Sequence, residues 1–181
     1  PYYLMYKVQQ RVAPPSTALG VLGLTGFTSF LGLVDIGRVR AGDTVLVSGA
    51  AGGVGSNVGQ IARNLGARAV GLAGTDEKCR LLVERLGYDA AIDYRSEALD
   101  ARLRDCCPEG IDVFFDNVGG EILDTALLHL RRHARVVLCG LSDQYNRAER
   151  PAGPNLGPVI AARARLAVLV VYAHLADIAQ C

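Results

Sequence analysis

Apolar residues in this chain fall into two alternating patterns: short unbroken runs, and segments where they recur every three or four positions. Val45, Leu46 and Val47 form one such run, the mark of a strand covered on both faces. Val54, Val58, Ile61, Ala62 and Leu65 then share one helical face, and Gly66 supplies a C-terminal stop. Residues 44–74 therefore read as strand, glycine-rich turn, amphipathic helix and second strand. The rhythm continues with a helix over 76–86, capped by Thr75 or Asp76 and stopped at Gly87, and a strand over 90–94. Ser96 is expected to cap a further helix that ends near Pro108 and Gly110. A buried strand follows over 111–118, then a helix over about 120–130. His129, Arg131, Arg132, His133 and Arg135 are expected to close that helix, where cations suit the dipole. A strand over 135–139, a polar loop over 142–158, a short helix over 161–165 and a sixth strand over 166–171 complete the reading. Residues 16–34 carry no charge and predict a buried helix.

Strands alternating with helices imply right-handed crossovers and an α/β fold. The expectation is a Rossmann-type, doubly wound parallel sheet of six strands in the order 3-2-1-4-5-6. In such sheets ligands lie beyond the carboxyl ends of the strands, where the order reverses. Gly49, Gly52, Gly53 and Gly55 sit there, after the first strand and at the start of a helix. This is where free backbone N–H groups hold a pyrophosphate. In the pattern G-x-G-x-x-G, Ala50 takes the first position, with Gly52 and Gly55 in the other two. Ser56 follows Gly55 with no neighbouring Lys, so the turn is not a P-loop.

The second strand's tip distinguishes between nucleotides. NAD-selective folds place an acid there for the ribose hydroxyls. Here the tip reads Leu72, Ala73, Gly74, Thr75, and small residues followed by Lys78 leave room and positive charge for a 2′-phosphate. Arg80 and Arg95 are candidates to add to it. NADP(H) is the expected cofactor.

At 181 residues the chain suits one domain with a full core, and a net charge of +1 gives no field for nucleic acid or acidic lipid. Cys79, Cys106, Cys107, Cys139 and Cys181 show no metal-ligand spacing, and their odd number suggests reduced thiols and a cytoplasmic protein. The uncharged stretch 16–34 is too rich in Gly, Ser and Thr for a bilayer span, and the apolar tail 166–173 is too short. No membrane association is expected.

With these residues in place, the chain resembles the medium-chain dehydrogenase/reductase superfamily. The similarity is to its zinc-independent branch of prostaglandin reductase (leukotriene B4 12-hydroxydehydrogenase) and the alkenal and curcumin reductases. It is carried by LGLTGFTSFLGLVDIG, VSGAAGGVGSNVGQIA, AGTDEKCR, LGYDAAIDY, FDNVGGEILD and VVLCGLSDQYN, over about residues 18–172. The resemblance implies that Gly52, Gly53, Val54 and Gly55 hold the pyrophosphate, with Lys78 at the 2′-phosphate and Tyr94 beside the adenosine. It implies that Asn117 meets the cofactor ribose and that Thr28 approaches the nicotinamide. Cys139, Gly140, Leu141, Ser142, Tyr145, Leu169, Val170 and Val171 would wall the nicotinamide pocket.

The implied reaction is NADPH-dependent reduction of a carbon–carbon double bond conjugated to a carbonyl, so the partner is a small unsaturated carbonyl compound. Tyr145 is the candidate donor to the developing oxyanion. A quinone reductase and a non-catalytic NADPH-binding protein are the alternatives. Zinc-dependent relatives carry a ligand Cys in the stretch that here spans 19–28, and none occurs there, so no metal is expected. Residues 1–17 resemble the exit from a GroES-like N-terminal domain, leaving 18–181 as an NADP-binding domain. The sixth strand of many relatives pairs with a second subunit, so a homodimer is expected. Thr25, Phe30 and Leu166–Ala167–Val168 depart from the family's usual residues.

Overall fold

The computed structural model describes residues 13–146, 148–149 and 152–174. Six parallel strands form one sheet in the order β3-β2-β1-β4-β5-β6, as the alternation predicts. They are β1 (Thr44–Val47), β2 (Arg68–Ala73), β3 (Ala90–Asp93), β4 (Ile111–Asp116), β5 (Leu130–Leu138) and β6 (Arg165–Val168). β1 lies between β2 and β4, with Val47 level with Gly71 on one side and Phe115 on the other.

Both faces of the sheet are covered, which is why its central strands are apolar without interruption. Val45 and Val47 face a core completed by Leu33, Val58, Ala62, Leu82 and Tyr88. Leu46, from the same strand, faces the opposite core with Leu103, Leu123 and Ala126. The first core is covered by α1 (Leu24–Phe30), α2 (Gly55–Asn64) and α3 (Asp76–Arg85), and the second by α4 (Leu99–Cys106) and α5 (Gly120–Leu127). Thr75 caps α3, its side chain accepting the Lys78 N–H at 3.3 Å.

Several expected boundaries move. The helix over 16–34 is broken: a 3-10 turn spans Pro15–Leu19, and α1 begins only at Leu24 before running into a wider π-helical turn over Leu31–Ile36. Glycines at 20 and 23 interrupt the path, and Leu19, Val21 and Leu22 stay exposed. Ser96 does not cap α4, whose N-cap is Ala98 with no side-chain bond. Residues 93–97 instead form a turn in which Ser96 and Glu97 donate their N–H groups to the Asp93 carbonyl.

The basic cluster does not close a helix either. α5 ends at Leu127, and Arg131, Arg132, His133 and Arg135 belong to β5. Ile111 pairs with Leu130 but Val113 pairs with Arg135, so β5 carries three more residues than β4 between the same two rungs. The excess forms a bulge in which His133 takes φ +67° and donates its N–H to Ala162. The late helix α6 spans Gly157–Ala161 rather than 161–165, and β6 stops at Val168, with a 3-10 turn at Val171–His174. Of the expected exit segment over 1–17, residues 1–12 lie outside the described residues, as does Cys181.

Candidate functional site

A cleft of about 420 Å³ opens at the carboxyl ends of β1, β2 and β4. Its centre is the glycine turn between β1 and α2. Ala50 is buried and accepted at the motif's first position because its Cβ joins the core. Gly55 is different: a Cβ there would stand 2.5 Å from the Gly49 carbonyl oxygen and 2.6 Å from the Ala50 Cα. No side chain fits, so the turn must pass directly beneath the start of α2. The N–H groups of Gly53, Val54 and Gly55 donate to nothing among the described residues. Three unengaged donors at the N-terminus of a ten-residue helix form a cradle that fits a diphosphate.

Two contacts brace that turn from behind. Ser29 of α1 is fully buried, with Oγ 2.7 Å from the Thr25 carbonyl and 2.9 Å from the Val54 carbonyl. Tyr88 pushes its ring between α2 and β2, and its hydroxyl donates to the Gly55 carbonyl at 2.6 Å. Burial pushes the Tyr88 hydroxyl well above the usual tyrosine range, so it remains a donor.

Towards β2 and β3 the cleft is walled by Ala73, Gly74, Lys78 and Tyr94. The Lys78 side chain is exposed, and Arg80 is engaged by Asp76 at 3.3 Å along the outer face of α3. Towards β4 the wall is Asn117, Val118 and Ser142. Asn117 is held by a network invisible in any sequence motif. Its N–H donates to Ser48 Oγ and its Nδ2 to the Ser48 carbonyl, each at 2.8 Å. Ser48 Oγ in turn donates to Asp116 at 2.6 Å, and the Asp116 carboxylate also accepts the Val118 and Gly119 N–H groups at 3.1 Å. Burial raises the Asp116 pKa, and these three donors work against that rise.

Of the residues expected at the site, Gly52, Gly53, Val54, Gly55, Lys78, Tyr94, Asn117 and Ser142 line this one cleft. The others do not. Thr28 is buried and its hydroxyl turns back to the Leu24 carbonyl at 2.6 Å. Leu169 is buried in the first core beside Phe115, whereas Val170 is exposed and Val171 opens the last 3-10 turn. Gly140 packs beside Asn117, a Cβ there standing 3.0 Å from the Asn117 carbonyl. Tyr145 is 71% exposed, and its hydroxyl accepts the Leu141 N–H at 3.1 Å. Cys139 is half-buried, its thiol pushed up to about 11 by burial and by Asp116. Ser29, Ser48, Tyr88 and Asp116 escaped the reading of the sequence. The only signal for Ser48 and Asp116 was a polar residue ending each of two apolar runs.

Residues 53–178 match the zinc-binding dehydrogenase family, which is more than half of the chain. The chain belongs to that family. Among its relatives is the NADPH-dependent curcumin reductase of Escherichia coli (strain K12), 45% identical over 148 residues that cover 82% of this chain and 43% of that protein. Prostaglandin reductase 1 of Rattus norvegicus is 42% identical over 169 residues, covering 92% of this chain and 51% of that protein. The crystal structure of CurA from Vibrio vulnificus in complex with NADPH is 38% identical with a TM-score of 0.85, over 97% of this chain and 56% of that one. These relatives place the chain in the medium-chain dehydrogenase/reductase superfamily, in the branch its motifs resemble. The chain spans about half the length of the curated relatives it matches. Among the described residues, no three His, Cys, Asp or Glu side chains come together as metal ligands, and no helix is long and apolar enough to cross a membrane.

Proposed function

We propose that this chain is the cofactor-binding half of an NADPH-dependent reductase acting on carbon–carbon double bonds conjugated to a carbonyl. The observation that carries the proposal is the union, in one cleft, of the free N–H groups at Gly53–Gly55 with the acid-free tip of β2 and Lys78. The turn would hold the cofactor's diphosphate, and Lys78 would take its 2′-phosphate. Asn117, fixed by Ser48 and Asp116, presents its side chain to the ribose. When bound, the nicotinamide supplies the hydride that the β-carbon of the substrate accepts. Tyr145 is the donor to the oxyanion that develops on the substrate carbonyl, and the loop from Cys139 to Ser142 with Val170 and Val171 closes the reacting end.

The relatives' curcumin and prostaglandin reductase activities support an unsaturated carbonyl compound as substrate. The exposed edge strand β6, with Leu166 and Val168 uncovered, supports a homodimer that extends the sheet. We read the protein as cytoplasmic, with residues 1–17 leading from a GroES-like domain into this one.

Fluorescence titration with NADPH and NADH tests the cofactor, and loss of NADPH absorbance with an enone, a long-chain alkenal and a quinone tests the reaction. Lys78→Ala is expected to weaken NADPH about 10- to 100-fold and leave NADH unchanged. Tighter binding of NADH than NADPH by the unaltered chain overturns the proposal.

A further inference from the structure

The geometry points to Arg95 as a second residue selecting the 2′-phosphate, joining Lys78 at the tip of β2; this rests on the NADPH reading above. Arg95 follows β3 and lies beside Gly74 at the tip of β2. A Cβ at residue 74 would stand 3.0 Å from the Tyr94 hydroxyl and 3.1 Å from Arg95 Nε. The absence of a side chain at 74 is thus what lets Tyr94 and Arg95 lean over the tip of β2. The guanidinium lies 5.9 Å from the centroid of the Tyr94 ring, and Tyr94 itself lines the cleft. A planar cation resting on that ring is oriented before any ligand arrives.

The surrounding charges favour the same role. Two nearby acids already have partners, Asp76 with Arg80 and Glu97 with Arg102. Asp93 Oδ1 accepts the backbone N–H of Arg95 itself at 3.0 Å, which fixes the turn that carries the side chain. The Arg95 guanidinium has no ion pair among the described residues. Lys78 and Arg95 therefore remain as two exposed cations near Gly74 with no ion pair among the described residues. A phosphomonoester dianion at the adenosine 2′ position satisfies both, and the Arg fork adds a two-point contact that Lys lacks.

The test compares NADPH with NADH, and 2′,5′-ADP with 5′-AMP, by titration of the unaltered chain, Lys78→Ala, Arg95→Ala and Arg95→Lys. Arg95→Ala is expected to weaken NADPH and 2′,5′-ADP about 10- to 100-fold while NADH and 5′-AMP change less than about two-fold. Arg95→Lys is expected to recover part of that loss. Equal losses for both members of each pair, or no loss at all, overturn the role of Arg95. If Lys78→Ala alone loses discrimination, the NADPH reading stands and only Arg95 falls. If the unaltered chain binds 2′,5′-ADP no more tightly than 5′-AMP, the NADPH reading itself falls.

Discussion

Gly59→Ala sets two physical effects against each other, and the packing of Tyr88 decides the sign. Residue 59 sits in the middle of α2, where alanine is favoured over glycine by about 1 kcal/mol on helix propensity. A Cβ there would overlap Cε2 and Cζ of the Tyr88 ring and come within 2.8 Å of Cδ2. The ring has nowhere to go. It is 2% exposed, its other edge lies 3.0 Å from where a Cβ on Gly71 would stand, and its hydroxyl is bonded to the Gly55 carbonyl. Overpacking of this kind costs about 1–3 kcal/mol, and displacing the hydroxyl gives up about 1 kcal/mol more. After the gain in propensity the variant is expected to be less stable by about 1–3 kcal/mol. Urea unfolding followed by circular dichroism should show the midpoint lowered by about 1 M at an unchanged slope. In a Tyr88→Leu background the overlap is gone, and Gly59→Ala should become neutral or stabilising. A variant as stable as the original, or a penalty that persists in the Leu background, refutes the assignment of the ring as the obstacle.

The polar network beneath the cleft makes a second prediction. Asp116→Ala leaves Ser48 Oγ–H and the Val118 and Gly119 N–H groups without an acceptor, at about 1–3 kcal/mol for each stranded group, so it should unfold at much lower denaturant than Asp116→Asn, which keeps one accepting oxygen. Burial and the neighbouring Arg104 lower the pKa of His129, even though its Nε2 meets Asp100 at 2.9 Å, because Asp100 is already paired with Arg104. The folded state therefore prefers neutral His129. Its contribution is complete above the ordinary value of 6.5 and is lost as pH falls through the lowered one, and stability measured from pH 8 to 5 should decline less in His129→Gln. With thiols pushed up to about 11 and about 12, Cys139 and Cys107 should resist iodoacetamide at pH 8 in the folded chain and react once it is unfolded, as read by peptide mapping.

The sheet was legible because burial on both faces forces a strand to be apolar throughout. Val45–Val47 and Phe114–Phe115 can be read without any knowledge of their neighbours. The start of β5 was not legible. Arg131, Arg132 and His133 are polar because the bulge lifts them off the sheet, and nothing local distinguishes such a bulge from the end of a helix. The glycine turn announced itself through spacing, and Lys78 through the lack of an acid at the tip of β2, residues 72–75. Ser29, Ser48, Tyr88 and Asp116 act across 25 to 69 positions of chain, and a contact at that separation leaves no periodic trace.

The Ser29 contact has a consequence for the peptide unit that joins Val54 to Gly55. That unit is planar, so its oxygen and its hydrogen point in opposite directions and cannot turn independently. The oxygen is grasped on its inner side by Ser29 Oγ and by the N–H groups of Asn57 and Val58, at 2.9, 3.0 and 3.1 Å. Anchoring one end of the plane aims the other, so the Gly55 hydrogen is locked outward before an anion comes near. Little rotational freedom is left to be surrendered when one arrives, and a hydroxyl in α1 accounts for part of that rigidity.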